Sequence, residues 1–172
     1  MRNYKKLPIC TIAIAAANVL IFLGLSFMGM TEDSAFMMEH GAMYVPYLMN
    51  GERYYTLITS MFLHFGFSHL MNNMVMLLVI GYSLEPEIGK IRFLLIYLGS
   101  GLMGNLVSAW FDVSQGSYAV SAGASGAIFG LIGALAAVLL FCKEQRKRFD
   151  GFGIFLMIAG SLYHGFESGT TD

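Results

Sequence analysis

Long apolar runs separated by short polar stretches dominate this chain. Five of them reach or approach the roughly 17 to 25 residues needed to cross the hydrocarbon core of a bilayer. They are Leu7 to Met30, Phe67 to Leu84, Phe93 to Phe111, Gly126 to Cys142, and a shorter one from about Phe152 to Phe166. Each predicts a membrane helix. The connector from Thr31 to about Gly66 is the longest, and its pattern is mixed. "MYVPYLMNGERYYTLITSMFLHF" interleaves aromatic and apolar residues with few charges, as expected of a segment lying in the membrane interface with Tyr rings at headgroup depth. The first run follows "MRNYKK" as a signal peptide would. It is long enough to span, however, and "MGMTED" is a poor cleavage site, so it reads as a retained helix.

Composition supports the same class. Hydrophobic residues make up 56% of the 172 and charged residues 12%, with a mean hydropathy of +0.64. A soluble domain carries about 25% charge. The net charge of −1, without a basic stripe, gives no footing for nucleic acid. Cys10 and Cys142 are too few for a disulfide framework and read as small buried thiols at span ends. Arg2, Lys5, Lys6, Lys90, Arg92, Lys143, Arg146, Lys147 and Arg148 all fall on one side of the spans, and only Arg53 on the other. That asymmetry predicts a cytoplasmic N-terminus in a multi-pass protein. The short chain fits a bacterial plasma membrane.

Polar side chains inside spans are costly, so each is a functional hypothesis. In "HFGFSHLMNN", His69 and Asn73 are four residues apart and share one helix face, with His64 at the junction to the connector. Interhelical hydrogen bonding, a metal site and a donor pair aimed at an oxyanion all compete for this group. The metal reading is weak for want of a third firm ligand.

The stretch "SAGASGAIFG" holds a bare hydroxyl, Ser125, where the fourth run begins. Small residues at 126, 130, 133 and 137 share a helical face and let another helix approach closely, which accounts for Gly130, Gly133 and Ala137. It does not account for Ser125. An ordinary helix cap is one reading of that serine. A hydroxyl at an anion-favouring helix start, with His and Asn donors on a neighbouring helix, is the other: two parts of an acyl-transfer site.

In combination, "GASGAIFG", "TSMFLHFGFSHLMNN" and "GYSLEPEIGKIRFLLIYLGSGLMGN" resemble the rhomboid family of intramembrane serine proteases, over about Gly51 to Asp172. The resemblance implies an all-α polytopic membrane protein, a rhomboid-like helical bundle with five of six transmembrane helices present. Residues 1–50 would form the cytoplasmic tail, first helix and start of the interfacial loop, and 51–172 the peptidase core without its last helix. Ser125 would be the nucleophile. His69 and Asn73, with the Ser125 backbone N–H, would form the oxyanion hole. His64, Gly123 and Gly126 would support the site, and Glu85 would be structural at the inner end of the second span. Where family members usually carry Trp-Arg this chain has Tyr55-Thr56, so Arg53 is expected to brace the first loop.

The same resemblance implies a base histidine on a sixth helix, a few residues beyond Asp172, so the 172 residues alone are expected to be inactive. His164, near the end of the fifth run, reads as a rim or packing residue, and His40 as a solvated loop residue. The implied partners are membrane proteins with a transmembrane helix and the bilayer itself. No metal or cofactor is implied, and oligomeric state is open. The alternative is a non-catalytic rhomboid-like protein that binds transmembrane segments. A channel or transporter would want charges along a path through several spans, and none lie mid-membrane.

Overall fold

The computed structural model describes residues 7–141. In chain order these form α1 (Ile9–Met28), α2 (Ser34–Glu39), β1 (Met43–Tyr44), α3 (Val45–Met49) and α4 (Thr56–Thr59). A 3₁₀ turn (Ser60–Phe62) leads into α5 (Gly66–Ile88), α6 (Lys90–Gln115), β2 (Val120–Ser121) and α7 (Ser125–Phe141). Three helices, α1, α5 and α6, are long and apolar enough to cross a membrane, and α7 is an apolar helix of 17 residues. They correspond to the first four apolar runs. The fifth run, His164 and Cys142 lie outside the described residues.

The outer faces of these helices are apolar as well as the inner ones. Phe27 is 90% exposed and Phe141 83%, with Leu20, Ile91, Leu95 and Trp110 also mostly uncovered. In water that surface would drive aggregation, whereas against lipid tails it costs nothing. The helices are thus sorted by packing, not by polarity. Most buried positions of α5 (Leu70, Asn73, Met74, Leu77, Ile80, Gly81, Leu84) recur every three or four residues as one stripe facing the bundle, and Met76 widens it.

Small residues set the closest approaches. A side chain on Gly81 would collide with Thr11, so α1 and α5 meet there. Gly104 and Gly126 bring α6 and α7 together, where a Cβ on Gly104 would lie 3.4 Å from the Gly126 Cα. Gly130 packs directly on Ser100, whose hydroxyl donates to the Ile96 carbonyl at 2.6 Å and contacts the Ala127 carbonyl at 3.2 Å. Among the described residues, the close contacts of the small-residue face of α7 end at Gly130. Gly133 has no described atom within 4 Å of its would-be Cβ, and Ala137 is exposed. Below Gly130 the contact passes to Leu131 and Leu135, fully buried near the level of Phe93 and Tyr97, and large side chains take over from backbone contact.

The connector between α1 and α5 is folded. Met37, Ala42 and Leu63 bury themselves with Leu25 in a small cluster of their own. Arg53 donates to the Met38 carbonyl at 3.1 Å and lies 4.3 Å over the Tyr47 ring, so it braces this loop. His40 differs from expectation. It is half-buried, its Nδ1 bonded to the Phe36 carbonyl at 2.7 Å and its ring 4.1 Å from that of Phe36, because it closes the last turn of α2.

Candidate active site

The chain leaves α6 at Gly116, and residues 117–124 carry it to the start of α7. β2 in this stretch pairs antiparallel with β1 of the connector, Met43 opposite Ser121 and Tyr44 opposite Val120. The connector and the loop before Ser125 are therefore one piece of structure. Beyond β2 the backbone turns at Gly123, whose φ of +140° favours glycine. The Gly123 N–H donates to the Ser60 carbonyl at 2.9 Å, and the Ala124 N–H points to His64 Nε2 at a long 3.4 Å. Ser125 then opens α7, with the Ile128 N–H bonded to the Ala124 carbonyl at 3.0 Å. The three intervening N–H groups, those of Ser125, Gly126 and Ala127, have no intrahelical acceptor, which makes this helix start favourable to an anion.

α5 supplies the facing wall. A Cβ built on Gly123 would lie 3.0 Å from His69 Nε2, 2.9 Å from His69 Cε1 and 3.8 Å from Ser125 Oγ. The imidazole and the hydroxyl thus converge on the one residue that has no side chain. The His64 and His69 rings meet edge to face with centroids 5.2 Å apart. His64 is 1% exposed, and burial, together with the neighbouring His69, pushes its pKa down to about 3. It is therefore neutral at any physiological pH. With Nε2 accepting from Ala124, its proton sits on Nδ1, which finds no acceptor among the described residues.

The remaining candidates fall into two groups. Asn73 lies one turn beyond His69 and is buried, but its Nδ2 donates to the His69 carbonyl at 2.9 Å. At most one of its two N–H groups is left for an oxyanion. Glu85 is not part of this site. It lies near the opposite end of α5, 2% exposed, and accepts from the Cys10 N–H at 2.9 Å, the Thr11 N–H at 2.8 Å and the Thr11 hydroxyl at 2.7 Å. It caps α1, whose own N-cap position is Pro8 and offers no side-chain acceptor. Ser125 itself is exposed among the described residues, and Gly126 next to it serves the α6–α7 contact.

Two residues that hold the site were not singled out from the sequence. Asn105 of α6 donates to the Leu57 carbonyl at 2.8 Å and to Ser60 Oγ at 2.9 Å, and Ser60 in turn receives Gly123. The signal was available for Asn105, an amide in the middle of an apolar span. Ser60 carried none.

Residues 51–171 match the family model described as "Rhomboid domain". The chain is 35% identical over 165 residues to "Rhomboid protease GluP" of Bacillus subtilis, covering 96% of this chain and 31% of that protein. It is 52% identical over 90 residues to "RHOMBOID-like protein 5" of Arabidopsis thaliana (52% of this chain, 28% of that one). It is also 44% identical over 95 residues to "Putative rhomboid protease YdcA" of Bacillus subtilis (55% and 46%). In each case less than half of the curated relative's length is matched.

Proposed function

The chain belongs to the rhomboid family of integral membrane proteins, and on that premise we propose that it carries the serine half of an intramembrane endopeptidase acting on transmembrane-helix substrates. The observation that carries this reading is the convergence of Ser125 Oγ and the His69 imidazole on Gly123 at the start of α7. Similarity to relatives named as proteases supports it.

In the proposed reaction a substrate helix unwinds so that a carbonyl is freed from its own hydrogen bonds. Ser125 Oγ attacks that carbonyl carbon, and its proton passes to a general base, which the family resemblance assigns to a segment outside the described residues. The oxygen becomes an oxyanion held by the Ser125 N–H, His69 and one Asn73 N–H, donors fixed before the charge develops. The C–N bond breaks as the leaving amine takes the proton, and water then attacks the ester carbonyl and returns Ser125 to its hydroxyl form. His64 stays out of the proton transfer. Buried and neutral, it positions Ala124 and the His69 ring. The nine Lys and Arg residues on one side of the spans, against Arg53 alone, support a cytoplasmic N-terminus with Ser125 near the opposite face.

The test is Ser125→Ala in the complete protein, reconstituted with a transmembrane reporter and a serine-reactive fluorophosphonate. Cleavage is expected to fall by a factor of about 10⁴ or more, and labelling to vanish. Cleavage at the unmodified rate would remove Ser125 from the mechanism. A protein that neither cleaves nor labels, yet retains bound transmembrane segments, would favour the non-catalytic reading.

A further inference from the structure

The turn that presents Ser125 is held from outside its own helix as well as by it. Two consecutive amides, Gly123 and Ala124, are tied to the connector, through the Ser60 carbonyl and through His64 Nε2. Of these the Ser60 bond is the shorter, 2.9 Å against 3.4 Å. Ser60 is 1% exposed and sits in a single 3₁₀ turn, which has little rigidity of its own. What fixes it is Asn105. Its side-chain nitrogen, which carries two N–H groups, lies 2.8 Å from the Leu57 carbonyl and 2.9 Å from Ser60 Oγ and donates to both. The Asn105 amide thus ties the Ser60 turn to α6. Gly104, beside it in sequence, is where α6 touches Gly126 at the first turn of α7.

We propose that Asn105 and Ser60 form a positioning relay for the nucleophile, resting on the reading of Ser125 above. α6 holds the start of α7 through the Gly104–Gly126 contact and, through Asn105 and Ser60, also holds the amide of Gly123 two residues before Ser125. One helix thereby fixes both sides of the nucleophile. The relay touches no reacting atom. It sets the aim of the Ser125 hydroxyl and N–H toward His69, and a displacement of the order of 1 Å at such a group is worth about 100-fold in rate.

The relay predicts a split between rate and binding. In the complete protein in proteoliposomes, Asn105→Leu and Ser60→Ala are each expected to lower kcat about 10- to 100-fold with KM within about twofold, since neither faces the substrate. Asn105→Gln, which keeps the amide, is expected to recover part of the loss. The double variant should be no slower than the worse single one, because both changes break the same link. Rates are expressed per serine titrated by fluorophosphonate. If kcat per titrated serine is unchanged and only the number of titratable serines falls, the residues are merely structural and the proposal is overturned. It is overturned equally if the two effects multiply. Should Asn105→Leu fail to fold, Ser60→Cys carries the test, since it replaces one oxygen with a poor acceptor. Ser125→Ala run in parallel separates the two levels. Residual cleavage there would sink the protease reading itself, whereas a dead Ser125→Ala beside unimpaired relay variants would sink only the relay.

Discussion

The two ends of α5 solve opposite problems with the same kind of residue. At one end Glu85 is buried and satisfied, one carboxylate collecting three donors from the first turn of α1. At the other, His64 is equally buried, yet it receives one long bond from Ala124 and leaves Nδ1 without a described acceptor. The Glu85 end is an anchor. A helix start is closed by a full charge, and Gly81 lets Thr11 approach closely enough for its hydroxyl to join. The Ser125 end is held by neutral bonds from a folded loop, and its helix start is left with N–H groups turned toward whatever occupies the site. The difference separates bonds that tie two helices together from bonds that hold the turn before α7.

The comparison is broken most severely at Glu85. Glu85→Ala leaves three donors, two of them buried, without an acceptor, at a cost of about 3 kcal/mol or more. Thermal unfolding in detergent is expected to show a large fall in midpoint, with Glu85→Gln intermediate. In the complete protein, the folded fraction should cleave a reporter at close to the unmodified kcat. A Glu85→Ala protein with unchanged stability but lost catalysis would reverse the assignment of the two ends.

Next comes Gly123. Gly123→Ala places a methyl 2.9 Å from His69 Cε1 on a backbone with φ of +140°, which L-residues rarely adopt. We expect kcat to fall about 100-fold, equivalent to about 2.7 kcal/mol of barrier, with a smaller change in melting temperature than Glu85→Ala produces. Comparing kcat and the midpoint in the same preparations checks this. Unfolding without a specific rate loss would make Gly123 an anchor residue like Glu85.

The smallest effect concerns His64 and pH. Its folded value of about 3 lies below the ordinary 6.5, so between these values the unfolded chain binds a proton that the folded chain refuses. Stability from the neutral imidazole is complete above about pH 6.5 and is lost as pH falls toward 3. Between pH 7 and pH 5 this amounts to about 2 kcal/mol. The melting midpoint should drop over that interval, and His64→Gln, which cannot titrate, should flatten the drop. An equally steep profile in the variant would mean that other groups, His69 among them, carry the acid sensitivity.

Much of this was legible before any coordinates. The first four apolar runs are α1, α5, α6 and α7 with ends shifted by a few residues, and Gly130 and Glu85 read as structural. The sequence offers Ser125, His69 and Asn73 as the candidate site with His64 and Gly123 as supports, and the structure brings Ser125, His69, Gly123 and His64 near one another. What the pattern could not convey was partnership. Nothing in a glutamate near the end of an apolar run says that it caps a different helix. Nothing in the sequence of Gly133 distinguishes it from Gly130, though among the described residues only Gly130 of the two meets a neighbouring helix. Of the readings open for Asn73, none anticipates that its amide donates to the His69 carbonyl of its own helix.

The sequence by itself determined that this chain is an integral membrane protein and where α1, α5, α6 and α7 run. Apolar length and residue type act locally and need no partner to be read. Only the tertiary structure decided which polar groups meet. The bond from Thr11 to Glu85 spans 74 residues, that from Ala124 to His64 spans 60, and that from Asn105 to Ser60 spans 45. Those contacts follow from how closely glycines let particular helices approach, and that is a property of the packed bundle, not of any one segment.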